Sequence, residues 1–97
     1  MKLTIAPTAL LELQEAADFY SAQANIGLAQ AFLDEFERAV TLILTSPQLG
    51  SVFRGKRRSY ALRRFPYSLI YQLTPDEVRV IAVAHQRRRP GYWQIRN

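Results

Sequence analysis

The chain has no cysteine among its 97 residues. Disulfide frameworks and thiolate zinc sites are therefore excluded, and the composition is compatible with a reducing cytoplasm. It also has no long apolar run, because charges recur from Glu12 onward in the N-terminal stretch. Neither a secretory signal peptide nor a membrane span of about 18 apolar residues is indicated. We therefore expect a cytoplasmic protein with no membrane association.

The short motifs that mark common enzyme classes are also missing. There is no phosphate-binding loop, dinucleotide fingerprint, zinc-protease helix motif or nucleophile elbow. A single histidine and scattered carboxylates leave no candidate metal site, and no cofactor is expected. Any catalysis must be metal-free and built from Arg, His, Tyr and Lys side chains.

Acidic residues are scarce in the second half of the chain. Residues 1–46 hold two basic and six acidic residues, a net charge of −4, whereas residues 47–97 hold eleven basic and two acidic residues, a net charge of +9. This asymmetry indicates that the C-terminal half meets a polyanion, either nucleic acid or an acidic protein segment. The simpler alternative is a solvated surface on which arginines happen to cluster.

The first half of the sequence is helical in its periodicity. A β-prone run ends at Pro7, and Thr8 is the expected helix cap. Apolar residues then recur at helical spacing, which predicts one amphipathic helix over 8–24 and a second over 28–45. We expect the acidic residues of both helices to form a solvated outer face.

After Gly50 the periodicity becomes alternating. Candidate strands lie at about 57–64, 67–73 and 77–84, and the short turns between them predict an antiparallel meander. The last strand has little polar content and is expected to be central. The predicted order is β-α-α-β-β-β, an α+β fold in which an antiparallel two-helix hairpin packs on a small, mainly antiparallel sheet as one domain, residues 1–97.

The stretch VAHQRRRPGYW, residues 83–93, concentrates side chains suited to a phosphate-rich target. Arginine holds phosphate bidentately, and tyrosine or tryptophan stacks on an unpaired base. The candidate target or nucleic-acid contacts are Arg63, Arg64, Arg87, Arg88, Arg89, Tyr92 and Trp93. A simpler interpretation is that Tyr92 and Trp93 anchor the tail on the core.

These residue types also suit cleavage of RNA by its own 2′-hydroxyl. That reaction needs a base, an acid and cations around the phosphorane. Histidine exchanges protons near neutral pH, so His85 is the candidate proton carrier. A lone histidine at a strand end is more often a hydrogen-bonded structural residue than a catalyst, and for His85, which has basic neighbours, that alternative stays open.

The stretches SPQLG, RRFPYSLIYQL and above all VRVIAVAHQRRRPGYW, together with the element order, resemble the RelE/ParE superfamily of bacterial type II toxins over nearly the whole chain. The resemblance implies a small basic toxin that forms a hetero-oligomer with a co-encoded, cognate antitoxin. An acidic amphipathic segment of that antitoxin would cover the positive half of the chain and order on binding.

The superfamily has two mechanisms, because RelE-like members cleave mRNA in the ribosome whereas ParE-like members poison DNA gyrase. Ser68 stands where many RelE-like nucleases carry a catalytic arginine. The sequence FPYSLIY followed by AHQRRRPGYW more closely resembles the ParE-like branch. We therefore expect a growth-inhibiting toxin that acts on DNA gyrase.

Two alternatives remain open. One is a RelE-like, metal-independent endoribonuclease whose partners are the ribosome and mRNA. Its catalytic residues would be His85, Tyr92, Arg64 and Arg87, since Tyr92 falls where those enzymes place a C-terminal tyrosine. The other is a nucleic-acid-binding module without toxicity.

Overall fold

The computed structural model describes residues 1–53, 55–89 and 91–96. Two helices cover one face of a five-stranded sheet, which is the predicted α+β arrangement with one additional strand. The elements in chain order are β1 (Lys2–Ile5), α1 (Pro7–Gln23), α2 (Ile26–Thr45), β2 (Ser51–Val52), β3 (Arg57–Ala61), β4 (Tyr67–Leu73) and β5 (Glu77–His85).

The strands follow the order β1-β5-β4-β3-β2 across the sheet. β1 is parallel to β5, and the other pairs are antiparallel, so the predicted meander is present and β5 has a neighbour on each side. The pairing of β4 with β5 is interrupted by an irregularity between Ile70 and Tyr71. β1 pairs only with the first part of β5, up to Val80. Among the residues that the structure describes, no strand lies beside the later part of β5 on that side.

The extra strand, β2, is a correction to the predicted order. Two residues are too few for an alternating pattern, so the strand left no signal in the sequence. A side chain from β4 holds the loop before it: the Tyr71 hydroxyl accepts from Gly50 N at 2.9 Å and donates to Pro47 O at 2.7 Å. A Cβ on Gly50 would lie 2.8 Å from that hydroxyl, which explains the glycine.

Both helices begin earlier than predicted. The predicted cap at Thr8 is wrong, because α1 starts at Pro7 after an extended Ala6 whose side chain makes no capping bond. Proline suits the first helical position, since its missing N–H would have no partner there. α2 starts at Ile26 because the Asn25 side chain caps it, accepting from Leu28 N at 2.8 Å.

Both faces of the sheet are buried. The helix-facing core contains residues from α1, α2, β4 and β5, among them Phe32, Ile43, Leu69, Tyr71 and Val78. A second apolar group, here called the back-face cluster, consists of Ile70, Ile81, Ala82, Ala84 and Trp93. It lies on the opposite face, where Trp93 of the C-terminal segment, residues 91–96, packs against residues of β4 and β5. No helix in the described part of the chain is long and apolar enough to cross a membrane.

Candidate functional site

Two basic loops lie side by side at one end of the sheet. Tyr67 pairs with His85 where β4 begins and β5 ends, so the β3–β4 loop and the loop after β5 leave the sheet together. Gln86 N donates to Pro66 O at 2.8 Å and joins the two loops directly. The structure therefore brings together residues that are more than twenty positions apart in sequence. We call this region the basic end and define it by Arg63, Arg64, Arg87 and Arg89.

The arginines of the C-terminal half fall into two groups. The side chains of Arg63, Arg87 and Arg89 are exposed and form no hydrogen bond or ion pair with any residue that the structure describes. The guanidinium of Arg64 lies 5.6 Å from the Phe65 ring centroid and is also exposed. The other described arginines bind carboxylates, hydroxyls or backbone carbonyls: Arg38, Arg57, Arg58, Arg79, Arg88 and Arg96. The first group is exposed without such partners and is available to a polyanion.

Glu35 on α2 holds the β3–β4 loop in place. Its Oε2 accepts the Arg63 backbone N–H at 2.7 Å, and Arg38 donates two hydrogen bonds of 2.7 Å to the same carboxylate. The bonds from Arg38, followed by the one from Arg63, lower the pKa of Glu35. Arg64 follows this anchor with φ of +70°, a left-handed conformation that costs a non-glycine residue about 1 kcal/mol or more. The loop is thus fastened in a strained conformation that leaves Arg64 exposed.

Glu12 on α1 fastens the C-terminal segment. Its Oε2 accepts the Tyr92 hydroxyl at 2.5 Å, and its Oε1 accepts Arg96 Nη1 at 2.7 Å. The same Oε1 accepts Val83 N at 3.1 Å. Arg96 Nη1 also lies 3.3 Å from Ile81 O. The side chains of Glu12 and Arg96 therefore hydrogen-bond to backbone groups on the edge of β5 that β1 does not cover. Without these partners, the backbone groups on that edge would be left unpaired at a cost in free energy.

The expectation of a solvated outer face was therefore wrong for Glu12 and Glu35. These two residues were missed as site residues because only their position relative to the apolar stripe distinguishes them from exposed carboxylates in the sequence. Glu12 precedes the buried Leu13, and Glu35 precedes the buried Phe36. Each lies at the border of the apolar stripe of its helix, and that position is the one sequence feature that marks them.

Trp93 belongs to the back-face cluster and is only 4% exposed. Its ring lies 5.1 Å from the Phe53 ring, and the Arg57 guanidinium lies 5.6 Å from its centroid. Arg57 also donates to Trp93 O and Gln94 O, at 3.3 Å and 2.8 Å, and to Arg96 O. Trp93 is thus packed within the chain, which fits the anchoring interpretation, and its role as a target contact stays a prediction.

Arg88 and Tyr92 are engaged with each other and with Glu12. The Arg88 guanidinium carbon lies 3.7 Å from the Tyr92 ring centroid, and its Nη1 lies 3.6 Å from Glu12 Oε2. The arginine triplet is therefore split, with Arg88 directed to α1. Burial and the Glu12 carboxylate raise the pKa of Tyr92 to about 12. The phenol keeps its proton at neutral pH and directs it to Glu12.

His85 is half-buried against Tyr67, with ring centroids 5.0 Å apart and planes at 80°. Its Nδ1 accepts the Arg87 backbone N–H at 3.0 Å. In a neutral ring this acceptor role places the proton on Nε2. His85 and Tyr92 do line one cavity of about 210 Å³ with Arg88 and Arg89. Yet each proton carrier of the predicted nuclease is already held in a hydrogen bond within the chain.

Residues 3–90 match the family model described as "ParE toxin of type II toxin-antitoxin system, parDE". Among solved structures, the chain is similar to the "Chromosomal ParDE TA system from P. aeruginosa", with a TM-score of 0.77 and 17% sequence identity. That likeness covers 88% of this chain and 95% of the other, and at such identity it shows the fold alone. No curated relative matches the chain significantly.

Proposed function

The chain belongs to the ParE toxin family of type II toxin–antitoxin systems, and we propose on this basis that it inhibits DNA gyrase without covalent chemistry and is neutralised by a cognate antitoxin. The predicted superfamily is thereby confirmed, and the choice of target is the proposal. The observation that carries it is the basic end, where Arg63, Arg64, Arg87 and Arg89 are exposed on two joined loops.

The free-energy cost of electrostatic repulsion and backbone strain supports a binding role for these arginines. Like charges gathered on adjacent loops repel one another, and most other described arginines relieve that cost through internal partners. The Arg64 backbone is strained as well. Strain and unpaired like charges persist where they serve a site. A negatively charged surface of gyrase, or the DNA that gyrase holds, supplies the missing partner and needs no general acid or base.

The helical hairpin supports the antitoxin part of the proposal. α1 exposes three large apolar side chains, those of Leu10, Leu11 and Phe19, which are 42%, 54% and 55% exposed. Exposed apolar patches commonly mark protein-binding surfaces. An amphipathic antitoxin segment with acidic side chains covers this face and reaches the positive half of the chain, as helix-in-groove partners do.

The test is a supercoiling assay with purified gyrase and toxin. We expect the double variant Arg87→Gln and Arg89→Gln to inhibit at least about tenfold more weakly, because each arginine supplies a charge-assisted contact. The matched control is Lys56→Gln. Lys56 is exposed in the turn before β3, whereas the basic end follows the other end of that strand. Equal inhibition by both variants contradicts the proposal, and no inhibition by the unmodified toxin removes gyrase as the target.

The ribosome-dependent endoribonuclease is the second candidate, since His85 and Tyr92 line a common cavity. On that mechanism, His85→Ala and Tyr92→Phe should each reduce mRNA cleavage by orders of magnitude. On the gyrase mechanism, growth arrest survives at least one of them and is accompanied by filamentation. Cuts inside translated codons would favour the nuclease.

A further inference from the structure

A small groove beside the basic end shares Phe19 and His85 with the proposals above, but those proposals assign no ligand to it. It lies between α1 and the end of β4 and β5, with a volume of about 240 Å³. Three aromatic rings line it, those of Phe19, Tyr67 and His85. Glu15 and Arg88 also contribute to its walls. Aromatic walls and a neighbouring group of cations are thus present in one place.

Phe19 is the unusual residue of this groove. It is 55% exposed, and its one ring contact among the described residues is an edge-to-face contact with Tyr20, with centroids 5.6 Å apart. Core packing therefore does not explain an aromatic side chain at this position. On the opposite wall, Tyr67 and His85 hold each other edge to face and are anchored in paired strands. The wall formed by Tyr67 and His85 is therefore preorganised, and the other wall is the exposed ring of Phe19.

We propose that this groove binds one unpaired nucleotide of a nucleic-acid strand. The base stacks in the groove between Phe19 and the Tyr67–His85 pair, and the adjoining phosphates contact Arg87 and Arg89. Base stacking on aromatic side chains combined with a cationic track is the usual design for single-strand binding. The predicted stacking role of Tyr92 and Trp93 thus passes to rings that line this groove.

Size and polarity fit this ligand. The groove is smaller than the roughly 300–1,000 Å³ typical of sites for drug-sized ligands, so it accepts one flat ring system rather than a base pair. Glu15 is exposed at the groove, where its carboxylate can accept from a ring N–H or an amino group of a base. The cations that bind the phosphates are the unpaired arginines of the basic end.

The inference goes beyond gyrase inhibition and does not depend on it, so its test uses the purified chain alone. Fluorescence anisotropy would measure binding to three labelled probes: a ten-nucleotide dT strand, a ten-nucleotide U strand and a ten-base-pair DNA duplex. We expect a single strand to bind more tightly than the duplex. A preference for dT or for U identifies the strand as DNA or RNA, and either result supports the site.

Phe19→Ala should weaken single-strand binding about tenfold or more and leave duplex binding unchanged, because one stacking platform is lost. Leu11→Ala is the matched control, since Leu11 lies on the same helix, is 54% exposed and does not line the groove. Tyr67→Phe keeps the ring and should bind normally. Thermal unfolding of each variant verifies that it is folded.

Salt dependence separates the two parts of the site. Arg87→Gln should reduce the slope of log affinity against log salt by about one, whereas Phe19→Ala should lower affinity without changing the slope. Equal effects of Phe19→Ala and Leu11→Ala, or equal binding of strand and duplex, would overturn the proposal. So would a Phe19→Ala variant that loses only antitoxin capture, because the groove would then belong to that partner. Failure of gyrase inhibition leaves the nucleotide site standing.

Discussion

Glu12→Ala should detach the C-terminal segment from the sheet. The Glu12 side chain is 14% exposed and accepts hydrogen bonds from Tyr92, Arg96 and the backbone of Val83. Truncation leaves the Val83 N–H without its partner, which costs about 1–3 kcal/mol. It also removes a charge-assisted bond to Arg96, worth about 1.5–3 kcal/mol, although Arg96 is 20% exposed and regains part of this from water.

The expected loss is about 3 kcal/mol of unfolding free energy, because contributions from one network are not additive. For a domain of this size, 1 kcal/mol shifts Tm by about 4–8 °C, so we expect Tm to fall by roughly 12 °C or more. Urea denaturation followed by tryptophan fluorescence would measure the loss. Trp93 is the only tryptophan and belongs to the segment that Glu12 holds.

The two probes of unfolding should separate in this variant. If Glu12 fastens the C-terminal segment, Trp93 fluorescence should change at a lower urea concentration than far-ultraviolet circular dichroism, which follows the helices. The control is Glu37→Ala, because Glu37 is exposed on α2 and its change should stay within about 0.5 kcal/mol. A loss below about 1 kcal/mol with coincident transitions would refute the fastening role of Glu12.

Two further predictions concern backbone strain and proton binding. Arg64→Gly should leave the unfolding free energy within about 0.5 kcal/mol of the original, because relief of the φ of +70° offsets the greater freedom of glycine in the unfolded chain. It should nevertheless weaken gyrase inhibition, and a clear loss of stability would show that the conformation is unstrained. The raised pKa of Tyr92 means that the folded chain keeps a proton that the unfolded chain loses near pH 10. Stability from this group is therefore fully present below about pH 10 and is lost as the pH rises to about 12, so Tyr92→Phe should flatten the alkaline decline measured by urea denaturation.

Most of the secondary structure could be predicted because it depends on local periodicity. The α2 stripe that includes Phe32, Phe36 and Ile43 and the alternation of Tyr67, Leu69 and Tyr71 on β4 both face the helix-side core. β2 had no such signal, since its two residues form a strand only because β3 lies beside them. The start of α1 was misplaced because a threonine near the boundary resembles a cap, whereas Pro7 sets the first turn.

The positive charge of the candidate site could be predicted, but which of its side chains are exposed and which bind within the chain could not. The basic half of the sequence indicated a polyanion, and sheet pairing does bring Arg63 and Arg64 to the loop that carries Arg87 and Arg89. Nothing in the run of three arginines marked Arg88 as the one that stacks on Tyr92. The inward role of Trp93 was likewise only one of two interpretations.

The amino-acid sequence by itself therefore determined the α+β class, the helical hairpin and a positive C-terminal half, because apolar spacing and net charge are properties of the chain alone. Only the tertiary structure decided which charges are available for binding. Glu12 and Glu35 reach side-chain and backbone groups that lie 28 to 84 residues away in sequence. Whether a carboxylate is solvated or holds a loop depends on what folding places within hydrogen-bond distance, and that distance is not encoded in any local pattern.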